Sequence, residues 1–354
     1  MSLADVAIEG RVDRDDAEPT ATDAGADVAA ADQASDRGAV ADADSIDASA
    51  DGDGAATDVT LPPAHPTREF FLAEPSGRPL WIAVGPDGNM WFTDNGPFIW
   101  RITLAGQISK FGPFGTDDDP ISFGDLTTGP DGNLWLVDPS RQKIARFTTA
   151  GALTVLPLPI DAAWTESIAS GPDGNLWFAG RNGSAISRIT PAGLVITFQL
   201  PSGNTAYDVT GGPDGNIWFT ETGHGVAHIT PNGDGLVEIA FPIGDSNQIA
   251  AGPDGNIWVT EIVLARIARI TPAGELTEFT IPTSGSRPIG IAAGPDGNVW
   301  FGEGRAANIG RITPLGDITE FPVPQIGVRG VSAGPDGNVW FTLGDGASVG
   351  YITP

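Results

Sequence analysis

The sequence predicts an all-β chain, a seven-bladed β-propeller of four-stranded antiparallel blades, and three observations carry that prediction. The first is a repeated stretch, Gly-Pro-Asp-Gly-Asn, an apolar residue and then Trp, which starts at Gly85, Gly129, Gly171, Gly212, Gly252, Gly294 and Gly334. The second is its spacing: 44, 42, 41, 40, 42 and 40 residues from start to start, the period of one supersecondary unit repeated along the chain. The third is that no helical period lies between the copies. Each unit reads as four short β-rich segments divided by turn residues, and four strands in each of seven units make a propeller.

Within a unit the turn comes first. Proline presets the backbone for its second position, Asp tolerates the third, and Gly supplies the positive φ that a tight hairpin needs. The strand that follows, as in Asn216-Ile217-Trp218-Phe219-Thr220-Glu221, is apolar on both alternating faces. Such a strand is buried between neighbouring sheets. A third strand follows, with Ile309-Gly310-Arg311-Ile312-Thr313-Pro314 as the pattern copy, and then an outer strand such as Asp317-Ile318-Thr319-Glu320-Phe321. Arg101, Arg146, Arg188, Arg269 and Arg311 recur on the third strand, His228 and Tyr351 filling the same place in two units. Outer strands carry Glu69, Glu238, Glu278 and Glu320, and cross-strand ion pairs with the arginines are expected to help set register.

The last unit stops at Pro354 with three strands. Its missing outer strand is at the other end of the chain, where Thr67-Arg68-Glu69-Phe70-Phe71 repeats the pattern of Ile318-Thr319-Glu320-Phe321. Residues 67–72 should therefore pair with residues 349–353 and close the ring, covering two sheet edges that would otherwise be open. This gives residues 67–354 as the propeller and residues 1–66 as a segment of another kind. Those 66 residues hold 16 acidic and 3 basic side chains and no aromatic, and so read as a disordered acidic tail or spacer. Asp51-Gly52-Asp53-Gly54 is too short of ligands to be a calcium loop.

Composition excludes several functions. The propeller residues keep 29 acidic and 15 basic side chains, a poor match to nucleic acid, whose binding rests on Lys and Arg neutralising phosphates. There is no cysteine, which removes thiol catalysis and thiolate metal sites. The sequence shows no transmembrane stretch and no signal peptide. An Ala/Asp spacer ahead of a propeller nonetheless favours an extracytoplasmic location, secreted or surface-tethered, for a monomer.

Strand order puts the crossover entering each inner strand and the loop after each Trp strand on one face, around the mouth of the central channel. Five residues before each turn lie Leu80, Gly124, Glu166, Tyr207, Asn247, Ile289 and Arg329, followed by Trp81, Asp125, Ser167, Asp208, Gln248, Gly290 and Gly330. Repeats that pack alike need like residues, so seven different residues at one position suggest a ligand-facing ring, and drift of loop sequence is the competing reading. Glu166, Tyr207, Asp208, Asn247 and Arg329 are the candidate contacts for a small-molecule or peptide-like ligand. Three residues after the tryptophans stand Asp94, Asp138, Glu221, Glu261 and Glu303, which either hold a hard cation, Mg²⁺ or Ca²⁺, or cap backbone N–H groups of their own loops. His224 with Glu221 is the one acid/base pair on this face. The crossover with Asp117-Asp118-Asp119 beside Phe114 and Phe123 reads as a solvated acidic loop.

The units Asn298-Val299-Trp300-Phe301-Gly302-Glu303, Ile309-Gly310-Arg311-Ile312-Thr313-Pro314 and Ile318-Thr319-Glu320-Phe321-Pro322 closely resemble the repeats of the streptogramin B lyases, also called virginiamycin B lyases. The resemblance covers residues 67–354. It implies a seven-bladed propeller that opens a cyclic depsipeptide by elimination, with a histidine taking a proton beside the carbonyl and Mg²⁺, held by glutamates, stabilising the enolate. Carried over by position, the family histidines fall at Ile289 and Arg329 and the glutamates at Gly327 and Gly344, with Asp345 as a neighbouring carboxylate. Neither Ile nor Arg can serve as a general base. The leading expectation is therefore a lyase-like ligand-binding propeller without the His-based chemistry. The alternatives are an active lyase or metal-dependent lactone-type hydrolase using rim carboxylates, and a protein-interaction platform.

Overall fold

The computed structural model describes residues 67–72, 78–94, 96–116, 119–159, 165–180, 184–242 and 246–354. The acidic segment 1–66 and the Asp117–Asp118 loop tip lie outside these residues. Among the described residues the strands form seven four-stranded antiparallel sheets and one small ribbon, Gly115–Thr116 with Asp119–Pro120, and there is no helix. Blade 4 shows the plan, with inner strand Thr205–Gly211, Trp strand Ile217–Thr222, third strand Gly225–Ile229 and outer strand Val237–Ala240. Inner strands of successive blades touch, and that of blade 7, Val328–Ala333, touches that of blade 1, Ile82–Val84. The ring is closed as the sequence predicts.

Each turn residue has a visible task. The seven tryptophans are fully buried, so every indole N–H needs an acceptor. The turn aspartate supplies it, with Nε1 donating to Oδ1 at 2.9–3.2 Å. Its other oxygen accepts from the turn asparagine Nδ2 at 2.7–2.9 Å. The second glycine takes φ between 72° and 83°. The first leaves room for the indole, because a Cβ there would lie 2.2–2.6 Å from Trp Cδ1. Burial pushes the pKa of these aspartates up, but the hydrogen bonds outweigh it and hold Asp87, Asp131, Asp214, Asp254 and Asp296 below the usual value.

The same tryptophans join the blades. Trp177 of blade 3 packs with Ile217, Phe219 and Ile229 of blade 4, and Trp300 of blade 6 packs with Val331, Val339 and Phe341 of blade 7. Trp340 of blade 7 meets Met90, Phe92 and Ile102 of blade 1. Each of these junctions thus has one tryptophan at its centre, and in five blades a phenylalanine of the same blade's outer strand covers it. Trp91–Phe111, Trp177–Phe198, Trp258–Phe279 and Trp300–Phe321 stack with centroids 5.3–5.9 Å apart.

The register corrects the expected ion pairs. Arg269 faces Thr277 across the ladder, and Glu278 faces Ala268, so the third-strand arginines and outer-strand glutamates point to opposite faces of their sheet. The arginines lie on the tryptophan face instead. Arg311 sits over Trp300 and Phe321 at 5.8 and 5.3 Å and reaches the turn carboxylate of Asp296 at 3.9 Å. Arg188 likewise approaches Asp173 at 3.7 Å and donates to the Pro231 carbonyl of the next blade at 2.7 Å. Glu278 is paired with Arg266 at 3.2 Å, and His228 lies tilted by 34° against Trp218, centroids 4.4 Å apart, in the arginine slot.

Thr67–Phe71 completes blade 7, with Thr67 opposite Ile352 and Phe71 opposite Ser348. Phe70 stacks on Trp340 at 5.9 Å and 10°, doing for blade 7 what Phe321 does for blade 6, while Phe71 is 64% exposed. Phe70→Ala should therefore lower stability by about 2–3 kcal/mol, whereas Phe71→Ala should stay within about 0.5 kcal/mol of the parent. Urea unfolding followed by tryptophan fluorescence reads both, and equal losses would mean the closing strand is held by its backbone alone.

Candidate functional site

The variable ring stands on a backbone irregularity that recurs. In blades 3 to 7 the ladder between inner and Trp strands shifts register at the ring position, at Glu166, Tyr207–Asp208, Asn247–Gln248, Ile289–Gly290 and Arg329–Gly330. A bulge releases the ring residue from strand pairing and re-aims its side chain. A threonine two residues after the tryptophan holds the bulge in several blades. Its hydroxyl accepts from Asp208 N (3.1 Å, Thr220), Gln248 N (3.0 Å, Thr260) and Gly330 N (2.8 Å, Thr342). The same hydroxyls donate across the junction, to the carbonyls of Asn247 (2.7 Å), Ile289 (3.2 Å) and Leu80 (2.7 Å). This blade-to-blade tie went unnoticed in the sequence, although its signal, Thr at a fixed offset from Trp, was there.

Below the mouth, the inner strands enclose a central cavity of about 330 Å³, lined in part by Trp81, Asp125, Asp208 and Gln248. Both carboxylates tie blades together. Asp125 accepts from Leu126 N at 2.8 Å and from Ile168 N of the next blade at 3.1 Å. Asp208 accepts from Val209 N at 3.0 Å and from Ile249 N of the next blade at 2.8 Å, and Ser167 donates its hydroxyl to it. Asp208 thus has its oxygens on the channel wall. Glu166, Tyr207 and Asn247 are half-buried at the same ring level. Arg329 is separated from these and lines another cavity.

That cavity, about 370 Å³, opens between blades 6 and 7 and is lined by Arg287, Ile289, Gly304, Arg305, Ile326, Arg329 and Asp345. Glycines create it. A Cβ on Gly290 would lie 2.0 Å from the Arg329 carbonyl, so only glycine lets the two inner strands approach here. A Cβ on Gly304 would lie 2.5 Å from Ile289 Cδ1, and one on Gly344 would lie 3.0 Å from Arg329 Nε. Blade 6 also has Gly302 where blades 4, 5 and 7 have the tying threonine.

The family model described as "Virginiamycin B lyase family" matches residues 54–235 and 202–354. The chain belongs to the virginiamycin B lyase family. Among solved structures, a streptogramin B lyase is 32% identical with a TM-score of 0.75, the match covering 81% of this chain and 97% of that one. A virginiamycin B lyase from Staphylococcus aureus is 33% identical, also with a TM-score of 0.75, over 82% and 99% of the two chains. A catalytically inactive form of the S. aureus enzyme with quinupristin matches at 32% identity over the same shares, again with a TM-score of 0.75. Hydrazine synthase from Kuenenia stuttgartiensis, 14% identical with a TM-score of 0.66, shares the fold alone. No curated protein gave a significant match.

Within the virginiamycin B lyase frame, the positions that the resemblance assigns to catalysis surround the cavity between blades 6 and 7. The Mg²⁺ that it implies does not fit the residues present. Positions 327 and 344 are glycines, Asp345 is the one carboxylate lining the cavity, and three arginines share it. A hard dication wants several oxygen ligands and no cationic neighbours.

The rim carboxylates do not assemble into a cation site either. Among the described residues no three His, Asp or Glu side chains gather as a metal-binding group. Three of the rim carboxylates are engaged within their own blades. Asp94 accepts from Trp100 Nε1 at 2.9 Å and Gly96 N at 3.1 Å, and Asp138 accepts from Ser140 N at 3.2 Å and Oγ at 2.7 Å. Glu221 accepts from Asn204 Nδ2 at 3.3 Å and meets His224 Nδ1 at 3.1 Å. Glu261 and Glu303 are buried.

Burial sets the protonation of several of these groups. It raises Asp208 to about 6. Burial and then the proximity of Asp208 raise Asp125 to about 7. Burial and then repulsion from Glu320 raise Glu303 to about 8. In the unfolded chain each ionises near its ordinary value, so between that value and the raised one the folded state binds more protons. Stability from these groups is complete at low pH and is lost as pH rises through about 8. The depressed turn aspartates act only below their ordinary value. Tm should therefore fall by at least about 4 °C between pH 5 and pH 8, and Glu303→Gln should flatten the decline above pH 7. Calorimetric scans of parent and variant check this, and parallel profiles would place the effect elsewhere.

Proposed function

We propose that this member of the virginiamycin B lyase family is a ligand-binding propeller that takes a small-molecule or peptide-like ligand on its upper face and lacks His-based elimination. One observation carries the reading. At the cavity between blades 6 and 7, where the family resemblance calls for a base, the chain presents Ile289 and Arg329, and neither accepts a proton near neutral pH. Glycine at 327 and 344 takes away the oxygen ligands for a metal at the same place. The reading also puts the protein outside the cytoplasm, on the strength of the Ala/Asp spacer that precedes the propeller.

Incubation of the purified chain with quinupristin, with and without Mg²⁺, tests it by liquid chromatography and tandem mass spectrometry. The depsipeptide should be recovered intact. A ring-opened isomer of unchanged mass would signal elimination, and a product heavier by one water would signal hydrolysis. Either would overturn the reading.

The contact between His224 Nδ1 and Glu221 Oε2 at 3.1 Å favours a second reading, an enzyme working with a base in blade 4. A buried carboxylate on one imidazole nitrogen orients the ring and leaves the other free to take a proton. On that reading the product seen above should disappear in His224→Ala.

A further inference from the structure

We infer that the cavity between blades 6 and 7 binds a small organic dianion, a phosphate monoester or a paired carboxylate on a short apolar body. The inference rests on the reading of the upper face as ligand-binding and names the class of ligand that this face takes.

The first support is charge. Although the propeller residues carry 29 acidic and 15 basic side chains, this one cavity gathers Arg287, Arg305 and Arg329 against the single carboxylate of Asp345. Each third-strand arginine of blades 1, 2, 3 and 6 reaches a turn aspartate within 4 Å. Among the described residues the three cavity arginines make no ion pair or side-chain hydrogen bond. Guanidinium groups present planar forks of donors that match phosphate and carboxylate oxygens, and here three of them line one recess with two positive charges to spare.

A second support comes from the backbone. Arg287 has φ of +53°, a left-handed conformation uncommon for a residue with a side chain. Gly327, seven residues before the turn of blade 7 as Arg287 is before that of blade 6, has φ of +92°. The two positions make the same bond, Gly304 N to Arg287 O and Gly344 N to Gly327 O, each at 3.0 Å. Blade 7 thus uses the residue that this conformation suits, and blade 6 holds an arginine there against the backbone preference. Strain of this kind collects where a side chain is used.

Shape supplies the third support. Ile289 and Ile326 form the apolar part of the wall, and Ile326 is 51% exposed. A volume of about 370 Å³ admits a one-ring molecule but not a folded peptide chain. An anionic head on the arginines would leave an apolar body against the two isoleucines.

Isothermal titration calorimetry on the full chain at low ionic strength tests this with four probes: phenyl phosphate, phthalate, inorganic phosphate and benzylammonium. One of the two aromatic dianions should bind. It should bind more tightly than inorganic phosphate, which has no apolar body, while benzylammonium should not bind. Phenyl phosphate alone would name phosphate as the recognised group, phthalate alone would name paired carboxylates, and either upholds the site. Arg329→Met should weaken the preferred probe by at least about tenfold, and Arg287→Gly, which suits the left-handed backbone, should weaken it in the same direction. Circular dichroism and thermal melts confirm that each variant is folded. Should Arg329→Met fail that check, Arg305→Met, altered at an exposed side chain, takes its place. No heat from either dianion at about 10 mM, or equal affinity in parent and variant, would overturn the inference. Ring opening of quinupristin would overturn the proposed function and leave this result standing, so the two failures are distinguishable.

Discussion

A buried indole N–H with one available acceptor governs this architecture. Each tryptophan lies at a blade junction, where an unsatisfied donor would cost about 1–3 kcal/mol. The turn aspartate meets it at 2.9–3.2 Å in every blade. The aspartate can do so only because the first turn glycine has no Cβ to displace the ring and the second accepts a positive φ. Turn geometry, indole orientation and blade packing are therefore one condition, met seven times. The arginine over the ring and its reach to the same aspartate add a cation–π face and an ion pair to that condition. Where blade 4 substitutes His228, its tilted ring contact with Trp218 keeps the packing.

That condition is confined to one end of each blade, which frees the other end. The Trp strand runs from the turn to the opposite face, where the threonine ties and the bulges hold the backbone without prescribing the ring side chains. Thr220 uses its hydroxyl on Asp208 N and the Asn247 carbonyl, and both are main-chain groups. A propeller built in this way can change its mouth residue by residue while its walls stay fixed. Asp125 and Asp208 belong to the walls: their oxygens accept from amides of two blades each, and protonation near neutral pH would bring them in line with the low polarity around them.

How much of this could be read from the sequence followed from how local each signal was. The turn, the tryptophan and the closing strand were legible because each depends on residues adjacent in sequence or on simple counting of strands. Thr67–Phe71 pairs with the expected third strand of blade 7, over residues 348–352 where 349–353 were expected. The arginine partners were misread because a one-residue offset reverses the face of a side chain, and residue type alone does not reveal whether Glu278 stands across from Arg269 or Ala268. The rim carboxylates share an offset from the tryptophans without sharing a site. Asp94, for one, is held by Trp100 on the third strand of its own blade. The cavity between blades 6 and 7 was half visible. Arg329 stood out at the variable ring, but Arg287 and Arg305 lie in two loops 18 residues apart, and only packing brings them to one recess.

The glycines around that recess bear on how its chemistry came to differ from what the family resemblance implies. A metal site needs oxygen-bearing side chains at fixed points, and here two of those points have no side chain at all. Gly344 leaves the space into which the Arg329 guanidinium extends, since a Cβ would stand 3.0 Å from Nε. Glycine at 344 and arginine at 329 are thus sterically linked, and a side chain placed at 344 would meet the guanidinium first. Gly290, on the central channel, lets the backbone of blade 7 come within contact of blade 6 at Arg329. With Arg287, Arg305 and Arg329 set against the one carboxylate of Asp345, the recess is positive within an acidic seven-blade frame. Such a recess selects its ligand by charge, and anions are what it attracts.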